Sequence, residues 1–419
     1  MTDHDVLPTL DWDRFVAAHW DRRPVRIVDC GRAPFVAEAV LRAASRAAGV
    51  EASPLPYAQF TLDRAQQTDP RLALPRAGER DLAAYARRLA DLADGRRHAV
   101  IVNRLHGFDH ALWRRERDWF APLWARVGLP SGSAITTWFH GDYDHSPIGV
   151  HKDRFATFMF VLAGRKRMRF WAERPWREPV TTRVDYAAYL PQSFAVELGP
   201  GEALYWPASY YHVGETAGDG AATSVNVGIP RGEQHRHYDI DDLLAPRDAP
   251  MPSAARIVVP AMPCVAMSVD AQRDTDAGTP AVWRAAAADL RRRCAPRRLA
   301  ESARRVGLAR AGAGGFEPVP PPAKRPALAT GDTLQRVLGV RLLWSAAAGA
   351  PVLVGAEGHV AETALDAPTV MRLIALLDDG RAHPLRRLLA LAADAPARRA
   401  LHALLADLVA WRALRRRRG

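Results

Sequence analysis

Along the first third of the chain apolar residues recur every three or four positions, with short interruptions. Trp12 to Ala52 reads as helical turns around one strand, Pro24 to Val28, and Asp81 to Ala93 gives a second helical pattern. Ala99 to Asn103 is a short apolar strand. His110 to Val127 follows as an amphipathic helix with Leu112, Trp113, Phe120, Leu123 and Trp124 on helical spacing. Between Ala134 and Ile229 the rhythm changes to short alternating strands separated by turn clusters at Gly141 to Pro147, Gly199 to Gly201 and Gly218 to Gly220, the pattern of an all-β sandwich or barrel. A Pro- and Ala-rich stretch with little periodicity comes next, then an Arg-rich helix from Val282 to Cys294, broken by Pro296. Pro318 to Pro326 holds five prolines in nine residues and reads as a linker. Beyond it, Pro351 to Thr363 predicts a hairpin turning at Gly355 to Gly358, Asp366 with Pro368 starts a helix ending at Gly380, and Pro384 to Leu414 is helical again, an α/β module compatible with a winged helix. The closing run Arg415 to Arg418 reads as a solvated tail, and no internal repeat is present.

Composition narrows the class. With 419 residues, 48% hydrophobic and 25% charged, the chain matches a soluble globular protein of two or three packed units. The longest mostly apolar stretch, Leu342 to Val354, is interrupted by Ser345, Gly349 and Pro351 and falls short of the roughly 18 residues a membrane span needs. Met1 to Asp13 carries four acidic residues and no Lys or Arg, so no targeting signal is read there and a cytoplasmic protein is expected. Cys30, Cys264 and Cys294 are too few and too scattered for a disulfide framework or a Cys-rich zinc site, and are expected to behave as small buried hydrophobes. The net charge of +12 comes from 58 basic and 46 acidic residues, but only three of the basic residues are Lys. Spread over the whole chain, this Arg excess looks like a codon-composition bias, and a functional polyanion-binding surface is not expected from it.

The chemistry concentrates in His151-Lys152-Asp153, which leads into Arg154-Phe-Ala-Thr-Phe-Met-Phe-Val-Leu162. In an extended segment residues i and i+2 share a face, so the His151 imidazole and the Asp153 carboxylate can meet one ion. Gly199-Pro-Gly-Glu-Ala-Leu-Tyr-Trp-Pro-Ala-Ser-Tyr-Tyr-His212 then gives a turn, an apolar strand, a Pro break and a second histidine. Two His and one carboxylate form a facial triad that leaves three adjacent positions of an octahedral metal free, which suits non-haem Fe(II) better than zinc. A His-x-Asp pair alone is weak evidence, and His140-Gly-Asp142 has the same spacing. The second pair is preferred because His140 sits in a Gly, Asp, Ser and Pro loop whereas His151 precedes a largely apolar strand that holds a ligand rigidly. His145, His235 and His237 have loop-like flanks and are expected to be exposed.

After the turn at Ala163 and Gly164, alternation places Arg165, Arg167, Arg169 and Trp171 on one face and Lys166, Met168 and Phe170 on the other. A lysine turned toward a core costs several kcal/mol unless an anion meets it. A dicarboxylate co-substrate would supply that anion; an internal Asp or Glu is the structural alternative. Phe158, Phe160 and Trp206 are candidate walls of the site, with ordinary core packing as the plainer role for each.

His151-x-Asp153, Gly164-Arg-Lys166-x-x-x-Phe-Trp171, Gly199-x-Gly-Glu-x-Leu-Tyr-x-Pro207 and His212, in this order, resemble the JmjC-type cupin-fold oxygenases dependent on Fe(II) and 2-oxoglutarate. Phe15-x-x-x-x-Trp20-x-x-x-Pro24-Val-Arg-Ile27 is similar to the entry segment of cupin-like protein hydroxylases, especially the bacterial ribosomal oxygenase group. The resemblance implies an α+β fold: a double-stranded β-helix (jelly-roll) core with N-terminal helices over residues 1–245, a helical and dimerising region over 246–316, a linker over 317–330 and a winged-helix-like domain over 331–419. It also implies iron held by His151, Asp153 and His212 and the distal carboxylate of 2-oxoglutarate held by Lys166. Asn226 matches a position where some relatives carry an Asn near the co-substrate; a strand Asn bonded to a neighbouring backbone group is the alternative. Lys152 between the ligands and the acidic loop Gly141 to Pro147 depart from the family pattern.

The implied reaction is hydroxylation of a side chain in a protein or peptide. Asp142, Tyr143 and Asp144, just before the first ligand, are expected at the pocket mouth, where they would favour a cationic side chain. Oxidation of a free amino acid or other small molecule, N-demethylation, and a non-catalytic cupin sensor with a DNA-binding winged helix remain as alternatives, and a homodimer is an option. No membrane partner is expected, and the resemblance implies nucleic acid only through a ribosomal or similar target.

Overall fold

Alternation in the middle of the chain resolves into two facing sheets, and the helical patterns before it resolve into a layer against one of them. The computed structural model describes residues 4–50, 57–130, 132–231, 236–244 and 281–419. Two units separate among these: one takes residues 4–231 and 314–321, the other 236–244, 281–313 and 322–419.

In chain order the first unit comprises β1 (Asp5–Thr9), α1 (Trp12–Ala18), β2 (Val25–Asp29), α2 (Ala37–Ala47), β3 (Ala58–Leu62), β4 (Ala65–Gln66), α3 (Leu82–Ala93), β5 (His98–Asn103) and α4 (His110–Val127). It continues with β6 (Ile135–Asp142), β7 (Phe155–Ala163), β8 (Arg165–Trp171), β9 (Phe194–Leu198), β10 (Ala203–Trp206), β11 (Tyr211–Ala217) and β12 (Ala222–Pro230). The major sheet has nine strands in the order β1-β2-β10-β7-β12-β6-β5-β3-β4, and the minor sheet has three, β11-β8-β9. All pairings are antiparallel except β1 with β2. This is the two-sheet, mixed α and β core expected for a cupin.

Strand β7 is an interior strand of the major sheet, paired on both edges and covered on both faces, which is why its sequence is apolar almost throughout. Its two faces have different neighbours. Phe158 points outward, its ring 5.3 to 6.1 Å from those of Phe15, Phe120, Trp119 and Trp12 on α1 and α4, and Phe160 meets Phe35 and Trp119. Both are therefore core residues under the helical layer and not walls of the site. Helix α4 buries the five residues its periodicity predicts, and Asp109 caps it by accepting a hydrogen bond from the Leu112 amide at 2.9 Å. The same carboxylate pairs with Arg42 and Arg46 of α2 at 2.8 and 2.7 Å, which fastens the two helices together.

The second unit holds α5 (Arg236–Leu244), α6 (Ala281–Arg293), α7 (Pro296–Ala313), β13 (Thr333–Arg336), β14 (Leu343–Ser345), β15 (Val352–Ala356), β16 (His359–Thr363), α8 (Ala367–Leu377), β17 (His383–Pro384), α9 (Leu385–Leu389), α10 (Ala395–Ala410) and β18 (Leu414–Arg417). The predicted hairpin is β15–β16, and the Asp366 carboxylate caps α8 by accepting from Thr369 N at 2.9 Å. Leu334, Val354, Leu373, Leu377, Leu401 and Leu405 form the centre of its core.

Three expectations change. The Arg415–Arg418 run is not a free tail: β18 pairs with β13, and the Arg416 guanidinium meets the buried Asp332 carboxylate at 2.8 Å. A strand whose partner lies some eighty residues away leaves no local pattern in an arginine run. The proline-rich segment is packed at its start, with Val319 buried and the Phe316 carbonyl accepting from the Trp113 indole at 2.9 Å. Cys30 is buried as expected but Cys294 is exposed, and Cys264 lies outside the described residues, as do 246–280 of the region expected to be helical and dimerising. No helix among the described residues is long and apolar enough to cross a membrane.

Gly164 sets the register of β8 behind β7. Its φ is +68°, and a Cβ there would lie 2.6 Å from the Ala221 carbonyl oxygen. Gly218 also has a positive φ, +82°, but open space around it. We therefore expect Gly164→Ala to cost about 2–4 kcal/mol and Gly218→Ala about 1 kcal/mol, read as the difference in thermal or urea midpoints; equal costs would show that the close approach at Gly164 does not matter.

Candidate metal and co-substrate site

His151 lies in the loop before β7, and His212 at the start of β11. They are brought together by a backbone bridge: His151 N donates to His212 O at 3.1 Å and His212 N donates to His151 O at 2.8 Å. Their rings stand 4.5 Å apart, and Asp153 Oδ2 lies 3.6 Å from the Nε2 of each. One donor atom from each of the three side chains falls within 4.8 Å of the others, and they form the only such grouping among the described residues.

The outer nitrogens fix the tautomers. His151 Nδ1 contacts the Gly149 carbonyl at 2.9 Å and His212 Nδ1 the Tyr210 carbonyl at 3.4 Å, so each Nδ1 carries a proton and Nε2 is the nitrogen turned toward Asp153. Gly149 is held at φ +74° with Arg183 O 2.4 Å from where a Cβ would sit, so this supporting turn accepts no side chain. Burial opposes charge on all three groups. At Asp153 it is outweighed by hydrogen bonds and attraction from both imidazoles, which hold the carboxyl far below its usual range. At His151 burial is likewise outweighed by the Asp153 hydrogen bond and charge, which raise its pKa, whereas at the more deeply buried His212 burial prevails and lowers it. An ionised carboxylate between two imidazole nitrogens, which ligate once a metal displaces the proton each shares with Asp153, is a donor set for a divalent cation.

The triad opens into a cavity of about 260 Å³ enclosed by both sheets. Trp206, its ring 5.2 Å from His212, with Met159 and Met168, forms the apolar wall. Lys166 of β8 is on the face that alternation predicts and lines the same cavity, 2% exposed. Its ammonium meets the Tyr143 hydroxyl and ring but no carboxylate among the described residues, so the alternative of an internal Asp or Glu is absent there. Burial pushes its pKa down to about 7. An unneutralised lysine at the inner end of a cavity whose other pole is a metal-type donor set fits a ligand with a carboxylate at its far end. Asn226 of β12 faces the same space; its Oδ1 is buried and has no hydrogen-bond partner among the described residues, so that oxygen is not tied to a neighbouring backbone group there.

The acidic loop behaves differently from its expected role. Asp142 and Asp144 both pair with Arg97, the latter at 3.3 Å, so the cation they were expected to attract is supplied by the chain itself. Tyr143 turns inward onto Lys166. His140 faces away from the cavity, packed between Tyr85 and Trp138 with Nδ1 2.7 Å from Thr223 Oγ1, and burial pushes its pKa to about 3. The preference for the second His-x-Asp pair thus agrees with which histidine lines the cavity. His145 is not exposed but buried at 8%, its Nδ1 on its neighbour Ser146's carbonyl at 2.8 Å and its ring edge-on to Tyr186. The side chains of His235 and His237 lie outside the described residues.

Gln59, Ile101, Asn103 and Thr137 also line the cavity, from β3, β5 and β6, and sequence reading missed them. The alternation of β5 was legible, but which of its faces looks inward depends on its pairing with β6, a contact between segments some forty residues apart.

Residues 132–235 match the family model for the JmjC domain. No curated protein matches the chain. Among solved structures, the X-ray structure of Escherichia coli ycfD is 16% identical, with 97% of this chain and 98% of that chain covered and a TM-score of 0.47. YcfD from E. coli in complex with cobalt and 2-oxoglutarate, described as a ribosomal oxygenase, is 17% identical over 97% and 98% of the two chains at a TM-score of 0.45. Oxalate decarboxylase from Bacillus subtilis covers 32% of this chain and 25% of that one, with 10% identity and a TM-score of 0.19. At such scores the likeness to whole structures adds nothing to what the side chains say. The matched segment holds His151, Asp153, Lys166, His212 and Asn226, and with it this chain carries a JmjC domain, the cupin-type fold of the 2-oxoglutarate-dependent oxygenases.

Proposed function

We propose that the protein is an Fe(II)- and 2-oxoglutarate-dependent hydroxylase of a side chain in a protein or peptide, with iron on His151, Asp153 and His212 and the distal carboxylate of 2-oxoglutarate on Lys166. The observation that carries this reading is the convergence of three donor atoms within 4.8 Å at one end of a cavity whose buried lysine lacks an acidic partner among the described residues. Bound there, iron and 2-oxoglutarate supply the oxidising power that places an oxygen atom on a C–H bond. The chain's own part is positional. Asp153 and the two Nε2 atoms would hold the metal, the carbonyls of Gly149 and Tyr210 hold the rings with Nε2 turned inward, and Trp206, Met159 and Met168 keep water from the space between the triad and the lysine.

The cavity lining runs from buried Lys166 to exposed Gln59, an opening that suits a side chain presented by a larger chain. A ribosomal protein is the first substrate to try, in keeping with the likeness of Phe15 to Ile27 to the ribosomal oxygenase group. Helices α8 to α10 with the β17-β13-β18 sheet support a winged-helix-like reading of the C-terminal module. A sensor without catalysis has no use for a complete donor set paired with a buried lysine.

Three outcomes are expected. Anaerobic Co(II) titration followed by visible absorption should give one tight site, weakened by at least about 100-fold in His151→Ala or Asp153→Ala and unchanged in His140→Ala; loss of the site in the His140 variant would reverse the ligand assignment. The iron-loaded protein with 2-oxoglutarate and air should release succinate slowly without substrate, and neither ligand variant should do so. For Lys166 the sign follows from its charge. Only the ammonium form pairs with a carboxylate, and a bound anion raises its pKa above the free value of about 7, so binding takes up a proton between those two values. The affinity for 2-oxoglutarate should therefore be flat below pH 7 and fall by up to tenfold per pH unit above it, with proton uptake seen by calorimetry in two buffers. Lys166→Met should weaken binding and remove the slope, and a slope retained in that variant would assign the proton to another group.

A further inference from the structure

The inner face of the major sheet carries a rung with three polar side chains in succession. Met159 of β7 lies opposite Asn226 of β12, Asn226 opposite Thr137 of β6, and Thr137 opposite Asn103 of β5, so four adjacent strands place these residues in a row that crosses the cavity floor. The rung ends three strand spacings from β7, roughly 14 Å across the sheet. On the neighbouring rungs the same strands present Ile135 on one side and Phe139 opposite Ile101 on the other, so the outer half of the row is a hydrogen-bonding strip between apolar walls.

Thr137 Oγ1 donates to Asn103 Oδ1 at 2.9 Å. This contact occupies one lone pair of the amide oxygen, orients the side chain and leaves the amide nitrogen, a double donor, without a partner among the described residues. Charge is balanced elsewhere in the cavity. With a divalent metal, Asp153, a dicarboxylate and the Lys166 ammonium in place, the charges cancel, and the rest of the lining contains no other acidic side chain. Asp142 and Asp144, the nearest acids in sequence, are spent on Arg97. A cationic side chain entering this space would lose its hydration with no counter-charge, whereas a neutral one bearing a hydrogen-bond acceptor would find the Asn103 donors waiting.

We infer that Asn103 is a specificity-determining residue, positioned by Thr137, which selects a neutral, acceptor-bearing side chain such as a carboxamide or a neutral imidazole and disfavours arginine and lysine. This rests on the proposed reading of the cavity as an oxygenase site, and it replaces the cationic preference expected from the sequence.

The test uses the full chain loaded anaerobically with Co(II) and 2-oxoglutarate, and reads binding of N-acetyl amino-acid methylamides as a change in the Co(II) visible spectrum. The glutamine, histidine, leucine and arginine derivatives are the probes, at a pH where histidine is neutral. Wild type should bind the glutamine or histidine probe roughly fivefold or more tightly than the arginine probe. Asn103→Ala should remove that advantage while leaving the leucine probe unaffected, and Thr137→Val should remove part of it. The near-isosteric Asn103→Asp, which keeps the Thr137 hydrogen bond, should reverse the order in favour of arginine. A wild type that prefers arginine, an Asn103→Ala variant that discriminates as before, or a spectrum that no probe perturbs would each overturn the inference. Failure of the oxygenase reading itself shows earlier and separately, as absence of the Co(II) and 2-oxoglutarate spectrum before any probe is added.

Discussion

Two backbone hydrogen bonds, running in opposite directions between His151 and His212, join a loop residue to a strand start 61 positions later. Nothing else in the site works without that bridge. It puts the two rings 4.5 Å apart, and Asp153, two residues along the same extended segment, then has one place to go, between them. The cost of burying three titratable groups together is offset by the carboxylate's attraction for both imidazoles, and a divalent cation would take over that role by displacing the Nε2 protons. Framework and donor set are the same feature viewed at two scales, since the bridge that seats the ligands also ties the minor sheet to the loop that enters β7.

The second constraint is strand alternation. Because β8 turns at Gly164, Lys166 falls on the cavity face with Met168, while Arg167 and Arg169 face Glu197 and Glu215 on the other side. A one-residue slip would exchange them and bury a guanidinium where the co-substrate should lie. The same periodicity sorts β7 into a face for the helices and a face for the cavity, and sorts β6 so that Thr137 and Phe139 look inward while Trp138 and His140 look out. Two histidines in His-x-Asp pairs eleven positions apart thus have opposite fates through the face each occupies, a distinction that spacing alone does not carry.

Much of this was legible before any coordinates. Helix α4 was readable with its buried face, because 3.6-residue periodicity over five turns has few competing explanations. The triad, Lys166 and the β-rich middle were readable because each rests on local spacing or on an ordered set of motifs. What was hidden depends on partners remote in sequence. Phe158 and Phe160 looked like walls until the helical layer claimed them; Asp142 and Asp144 looked like a cation trap until Arg97 did. The arginine run at the end of the chain became a strand only in the presence of β13. Gln59, Asn103 and Thr137 carried no motif at all, since their importance comes from cross-strand pairing.

The central claim is that one ferrous ion and one dicarboxylate occupy the space between the triad and Lys166. Crystals grown anaerobically with Fe(II) and 2-oxoglutarate, measured on both sides of the iron absorption edge, test it directly. The account predicts a single anomalous peak bonded to His151 Nε2, His212 Nε2 and Asp153, with density for the dicarboxylate reaching from that peak to the Lys166 ammonium. An iron peak elsewhere, or a 2-oxoglutarate molecule whose distal carboxylate turns away from Lys166, would contradict it.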